Sequence, residues 1–382
     1  MVKNGIDRIE CFPSLFRGKR LGMVTSAAAV AADLRPAYVA FHEKYPITCL
    51  FSPEHGLHSR FGNGEDVLED PTDPETGAAV VSLFGNWTAR SIPDHWLQQL
   101  DAVVYDIQDL GTRFYTYIST MIRVMEDCAG KGIEFIILDR PAVLGGEIVE
   151  GCLLDPRYQS FIGPYSLPIR YGLTVGELAQ MVNCEKKLNC RLQVVPCEGW
   201  TRGQMFPDYG KNWVPPSGAI KDFETALLYP GMCLFEGTGI SEGRGTGKPF
   251  RLIGAPFVDG QRLCREMDAL DLPGVAFAPV EFRPVSSKFK EELCGGVSLR
   301  ITDAKVFRTV RTGVSLLCKL RELYPDQVSF PPSHWSPEPH IRFLAGCDTL
   351  DADSPDLDRL LKNWEQDCEA FQIRKRNYHI YG

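Results

Sequence analysis

AVVYDIQDLGTRFYTY, residues 102–117, decides how the rest of the chain is read. It opens on Ala102, Val103, Val104 and Tyr105, four apolar residues with no polar alternation. That pattern predicts a strand covered on both faces, as in a parallel sheet. The run then breaks into Asp106, Gln108, Asp109, Gly111, Thr112 and Arg113, followed by Phe114, Tyr115 and Tyr117. Carboxylates, an amide and a guanidinium crowd the exit of a core strand. They must pair with one another, with a ligand or with water, because an unpaired buried charge is costly. Ligands of open α/β sheets bind outside the carboxyl ends of the strands. A structural Asp–Arg network that closes a strand-to-helix turn accounts for the same residues.

Working outward, residues 21–25, 47–51, 80–84 and 134–138 have the same strand character, and residues 6–16, 34–42, 94–100 and 120–131 read as helices. Gly132 stops the last of these. Strands alternating with helices predict a parallel sheet with right-handed crossovers. Four strand exits carry reactive polar groups: Thr25-Ser26, Ser52 with Glu54, Asp106 to Asp109, and Asp139-Arg140. Parallel strand ends share one sheet edge, so these groups converge. Beyond Gly151 the alternation fades. Thr174-x-x-Glu177 has the form of a capping box, which makes Glu177 a cap. Residues 192–195, 232–235 and 297–301 read as strands, and 222–228, 308–324 and 356–374 as helices. Arg374-Lys375-Arg376 reads as a solvated helix terminus. The expected organisation is a Rossmann-like α/β domain over 1–155 and a mixed α+β domain over 156–382.

The 382 residues are 44% hydrophobic and 24% charged, as in an ordinary globular protein. A net charge of −8 argues against non-specific binding to nucleic acid or anionic membranes. No apolar run approaches the roughly 20 residues of a membrane helix. The first residues show no apolar signal-peptide core. The 13 cysteines are scattered and form no CxxC pair. Together these features predict a cytoplasmic protein with free thiols.

The glycine-rich stretch 236–248 is neither a Walker loop nor GxGxxG. Its Glu236, Ser241, Glu242 and Arg244 suit a polar ligand, carbohydrate or carboxylate; its glycines equally suit a tight multi-turn connection. Glu54 stands between Pro53 and His55 at a strand exit, a position fit for general-acid work. No GxSxG elbow or HExxH is present, and Glu54-His55-x-x-His58 is read as no metal site.

Several stretches then combine. They are SPEHG (52–56), YDIQDLGTRFYTYIS (105–119), LDRP before Gly145-Gly146, YGLTVGELA (171–179), EGTGISEGRGTGKPF (236–250) with GAPF (254–257), and the ending Lys-Arg-Asn-Tyr-His-Ile-Tyr (375–381). In order and over nearly the whole chain, this resembles the NamZ-type exo-β-N-acetylmuramidases. The resemblance implies a Rossmann-like domain beside a smaller one, an active site in a cleft between them, and no nucleotide or metal cofactor. It implies removal of terminal, non-reducing N-acetylmuramic acid from peptidoglycan fragments, a role in cell-wall recycling, and Glu54 as the catalytic residue.

Asp106, Asp109 and Glu242 are then candidates for a second catalytic carboxylate. Arg113, Arg140 and Arg244 are candidates for holding the lactyl carboxylate of muramic acid. His55, Gln108, Tyr115, Tyr117, Asp139, Glu236 and Ser241 complete the expected substrate contacts, the two tyrosines being equally suited to core packing. The chain departs from the family pattern at Ser26, Ala142, Tyr171, Gly218 and Gly239, where the family carries other residues, several of them asparagines. A re-targeted or catalytically retired member that binds amino-sugar fragments is the alternative reading.

Overall fold

The computed structural model describes residues 2–353 and 356–382. Its contacts divide the chain into two units: Met1–Ile148, Gly172–Gly218 and Ile373–Gly382 form the first, Val149–Tyr171 and Ala219–Gln372 the second. The expectation was a single cut after residue 155. The contacts instead return two later segments, including the C-terminal residues, to the first unit.

The first unit is built on β1 (Leu21–Thr25), α1 (Ala37–His42), β2 (Ile47–Ser52), β3 (Ala79–Ser82), the hairpin β4 (Phe84–Gly85) and β5 (Thr88–Ala89), α2 (Asp94–Leu97), β6 (Ala102–Asp106), α3 (Tyr117–Lys131), β7 (Glu134–Leu138), α4 (Val175–Glu185) and β8 (Arg191–Val195). Six strands pair in the order β3-β2-β1-β6-β7-β8, every pair parallel. All residues of β1, β6 and β7 are buried, as their unbroken apolar runs require. β8 lies at the sheet edge and alternates exposed and half-buried residues up to Val195. α3 ends at Gly132, whose φ of 67° supplies a left-handed cap.

From β1 the chain steps outward through α1 to β2 and on to β3, then crosses back through the hairpin and α2 to β6 on the other side of β1. The switch in strand order therefore lies between β1 and β6. That is where open α/β sheets leave a crevice at their carboxyl edge.

The second unit comprises α5 (Phe223–Met232), β9 (Leu252–Ala255), α6 (Gly260–Asp268), β10 (Val275–Phe282), β11 (Cys294–Ile301), α7 (Thr309–Leu323), α8 (His340–Ala345) and most of α9 (Leu357–Lys375). Its three strands pair antiparallel in the order β10-β11-β9. Helices α5 and α7 cross closely. A Cβ placed on Gly231 would stand 1.9 Å from the Thr309 carbonyl oxygen, and one on Gly313 2.4 Å from that of Gly231.

Two local expectations are corrected. Residues 232–235 are the end of α5 and a 3-10 turn (Cys233–Gly237), not a strand. A short, fully buried apolar run has no periodicity by which strand and helix can be told apart. Lys375 is not at a solvated terminus. It is 1% exposed, and its ammonium donates to the carbonyls of Gly146 at 2.6 Å and Gly172 at 2.9 Å. All 13 cysteines are free. No helix among the described residues is long and apolar enough to cross a membrane.

Candidate active site

The exits of the parallel strands place most of the expected residues of the first unit. Glu54 follows β2 by two residues and is buried. Its Oε1 accepts a hydrogen bond from the Gly64 amide at 2.9 Å and its Oε2 one from the Thr116 hydroxyl at 2.5 Å. Pro53 sets the approach and the backbone then reverses. His55 and Gly56 have left-handed φ of 72° and 79°. A Cβ on Gly56 would meet Glu69 Oε1 and the Phe61 ring at 2.8 Å. The His55 Nδ1 lies 3.1 Å from the Phe61 carbonyl oxygen. A carbonyl only accepts, so Nδ1 carries the hydrogen.

At the switch point, Asp106 closes β6 and meets Arg140 from the exit of β7. The guanidinium grips both carboxylate oxygens, Nε at 2.5 Å and Nη2 at 3.0 Å, and Nη2 also reaches the Val30 carbonyl at 3.1 Å. Burial, opposed by Arg140, holds the Asp106 carboxyl above its ordinary range. Asp109 turns back on its own loop and accepts from the Gly111 amide at 2.6 Å, with Gly111 at φ 75°. Gln108 bridges to the Pro141 carbonyl at 3.1 Å. Arg113 is fully buried. Tyr115 and Tyr117 are buried and meet edge-on at 4.9 Å. The Tyr117 hydroxyl donates to the Pro216 carbonyl at 2.8 Å, so these rings pack into the core of the unit. Among the described residues, the buried hydroxyls of Thr25 and Ser52, at the ends of β1 and β2, have no hydrogen-bond partner.

Asp139 is a junction. Its Oδ1 accepts from the amides of Arg140 at 3.0 Å and Gly176 at 2.9 Å. Its Oδ2 accepts from the hydroxyls of Thr174 at 2.7 Å and Tyr381 at 2.6 Å. Burial lifts its carboxyl to about 6 against the pull of these donors. Glu177 forms the expected capping box with Thr174. It also binds Arg202 at 2.6 Å and the Ile380 amide at 2.9 Å. Thus Asp139 and Glu177 anchor the C-terminal residues to β7 and α4.

In the second unit the glycine-rich loop gathers a separate charged cluster. Arg244 Nε donates to Glu236 Oε1 at 2.6 Å and lies 3.9 Å from Glu242 Oε1. Glu242 is buried, and its Oε2 accepts from Lys288 at 2.9 Å. Lys288 also donates to the carbonyls of Phe235 and Ile240. Burial opposes ionisation of Glu236, but Arg244, with Lys288 and His340 beyond it, outweighs that and holds its carboxyl below the usual range. Burial lowers the His340 imidazole to about 4. Ser241 bonds within the loop, its Oγ accepting from the Gly243 amide at 3.2 Å.

The expected residues therefore form two groups, Glu54 with the strand exits in one unit and Glu236, Ser241, Glu242 and Arg244 in the other. Thr116, Lys288, His340 and Tyr381 went unnoticed as site or anchoring residues. Thr116 and Tyr381 lay inside quoted motifs; Lys288 and His340 carry no local signal. Among the described residues, no group of three His, Cys, Asp or Glu side chains is placed to hold a metal ion.

A six-stranded all-parallel sheet with a buried, hydrogen-bonded carboxylate outside its carboxyl edge, followed by a smaller unit with an antiparallel sheet, defines an α/β protein of the Rossmann-like class. The family models agree along the chain. Residues 21–224 match the N-terminal part of the exo-β-N-acetylmuramidase NamZ and residues 227–381 its C-terminal part. The chain is 38% identical over 386 aligned positions to the peptidoglycan β-N-acetylmuramidase NamZ of Bacillus subtilis (strain 168), covering 100% of this chain and 91% of that protein. Two crystal structures of DUF1343 family proteins from Bacteroides fragilis NCTC 9343 are similar over 100% of this chain and 99% of theirs. One has a TM-score of 0.89 at 31% identity and the other 0.77 at 27%. The protein belongs to the NamZ exo-β-N-acetylmuramidase family of hydrolases.

Proposed function

We propose that the protein removes a terminal, non-reducing, β-linked N-acetylmuramic acid from peptidoglycan fragments, with Glu54 as general acid and base. The observation that carries this reading is the anchoring of Glu54. The Gly64 amide and the Thr116 hydroxyl hold one carboxyl oxygen each, beyond the end of a core strand. A hydroxyl can donate or accept, so Thr116 stays bonded whether Glu54 is ionised or protonated.

Glu54 gives its proton to the glycosidic oxygen as the bond to C1 breaks. Two of the three candidates for a second carboxylate are closed by cations, Asp106 by Arg140 and Glu242 by Lys288. This favours a route in which the substrate's own acetamide oxygen bonds to C1, as in substrate-assisted glycosidases. Water then adds to C1, gives its proton to Glu54 and releases the sugar with its configuration retained.

The test is hydrolysis of para-nitrophenyl β-N-acetylmuramide beside the β-N-acetylglucosaminide, with Glu54→Gln as control. Release of N-acetylmuramic acid, lost in a folded variant, supports reaction and residue together. Binding of the sugar without release by the wild type would mark a retired, sugar-binding member.

A further inference from the structure

The hairpin β4–β5 takes no part in the six-stranded sheet. Its strands pair Phe84 with Ala89 and Gly85 with Thr88, so the turn is Asn86-Trp87 alone. Both turn residues have left-handed φ, 54° and 57°. Two-residue hairpin turns favour that conformation, with glycine preferred in second place. Here a tryptophan holds the second place against that preference. Backbone strain of this kind persists where the surrounding structure makes use of the residue.

The indole of Trp87 packs on Gly64. A Cβ on Gly64 would stand 2.1 Å from the ring's Cη2 and 2.2 Å from its Cζ2. The Gly64 amide is the donor to Glu54 Oε1 at 2.9 Å. The same two segments meet a second time, where the Asn86 amide donates to Asp66 Oδ1 at 2.8 Å. Residues 57–70 contain no helix or strand, so no ladder of their own holds the Gly64 amide in place. The hairpin turn does. An amide can only donate. While it holds Oε1, that oxygen stays an acceptor, and the proton that Glu54 transfers sits on Oε2.

We propose that Trp87 is a positioning residue for Glu54. Its ring fixes Gly64, and the Gly64 amide fixes which oxygen of Glu54 carries the transferable proton. The use of that proton rests on the function proposed above; the contact itself does not.

The experiment compares wild type with Trp87→Gly and Trp87→Phe. Trp87→Gly removes the ring and leaves the Asn-Gly pair that such turns favour, so the hairpin is kept, with thermal melting as the check. In protein labelled with 15N-glycine, the Gly64 amide is the signal that Gly64→Ala deletes. In wild type its proton shift should follow the ionisation of Glu54, and Glu54→Gln should abolish that titration. Trp87→Gly should abolish it too, and Trp87→Phe should largely keep it. On para-nitrophenyl β-N-acetylmuramide, Trp87→Gly should lose about tenfold in kcat with KM little changed, the value of one hydrogen bond to a charged group. The alkaline limb of its kcat/KM profile should move up by about one pH unit, because the carboxylate has lost a donor. The other ionisable groups around Glu54 are Tyr117 of α3 and those of residues 55–69, His55, Glu65 and Glu69 among them. All are present in every variant.

A folded Trp87→Gly protein that keeps either the Gly64 titration or the wild-type alkaline limb overturns the proposal and leaves the hydrolase reading intact. A wild type that shows the Gly64 titration, loses it with Trp87 and turns nothing over overturns only the hydrolase reading. A wild type whose Gly64 amide does not respond to Glu54 overturns the proposal at its first step.

Discussion

Thr116 donates its hydroxyl hydrogen to Oε2 of Glu54 across 2.5 Å, and it does so from the N-cap of α3 without making the usual capping bond to its own helix. The side chain best placed to cap the helix has been turned to the carboxylate instead. Replacing Thr116 by valine keeps the shape and removes the donor. Activity should fall about tenfold through kcat, while stability changes by about 1–2 kcal/mol, the value of one lost buried bond. Steady-state kinetics beside a urea melt separates the two. Unchanged kcat would free Glu54 from dependence on Thr116.

Tyr381 ties the C-terminus to Asp139, and the bond should show in the pH dependence of stability. Asp139 in the folded protein titrates at about 6, above its ordinary 3.8. The stabilisation it contributes as an acid is complete below 3.8 and is lost as pH rises through about 6. Tyr381 draws that value down by bonding the ionised form. Tyr381→Phe should therefore destabilise more at pH 8, by about 1.5–3 kcal/mol, than at pH 4, where the partner is neutral and the loss is about 1 kcal/mol. Equal losses at both pH values, measured by denaturant titration, would count against an ionised Asp139.

Lys288 is the nearer of two cations paired with the buried Glu242, at 2.9 Å against 3.9 Å for Arg244. Lys288→Met should cost about 1–3 kcal/mol by removing the charged hydrogen bond to Glu242 and leaving only the longer pair with Arg244. Adding Glu242→Gln should recover part of it. A double-mutant cycle in urea measures the coupling, and purely additive losses would show the pair to be independent.

The crossing of α5 and α7 depends on glycine. Alanine at Gly313 gains about 1 kcal/mol in helix propensity, but its Cβ would stand 2.4 Å from the Gly231 carbonyl oxygen. That atom belongs to the backbone and can yield only if the helices part. A net loss of about 1–3 kcal/mol is expected. A rise in melting temperature would mean the crossing relaxes freely.

What could be read ahead of the structure follows from burial. β1, β6 and β7 were legible because strands buried on both faces run apolar through their centres, with polar residues only at their ends. β10 was missed because Pro279 stands in its middle, yet β10 pairs only with β11 and so has an edge on which a missing amide costs no ladder bond. Residues 232–235 misled because their uniform burial erases the helical period. At the site, Glu54, Asp106, Arg140, Glu236 and Arg244 could be named in advance, since charged groups beside core strands and glycine turns are unusual. Their partners could not. Lys288 lies 46 residues from Glu242 and Tyr381 lies 242 from Asp139.

By itself, then, the sequence determined the parallel sheet, its polar edge and the family, because apolar runs, turns and motifs are local. Only the tertiary structure decided which carboxylates are already engaged and where the C-terminal residues are anchored. Those outcomes depend on pairing between residues far apart in the chain, and only the fold brings the partners of a buried charge together.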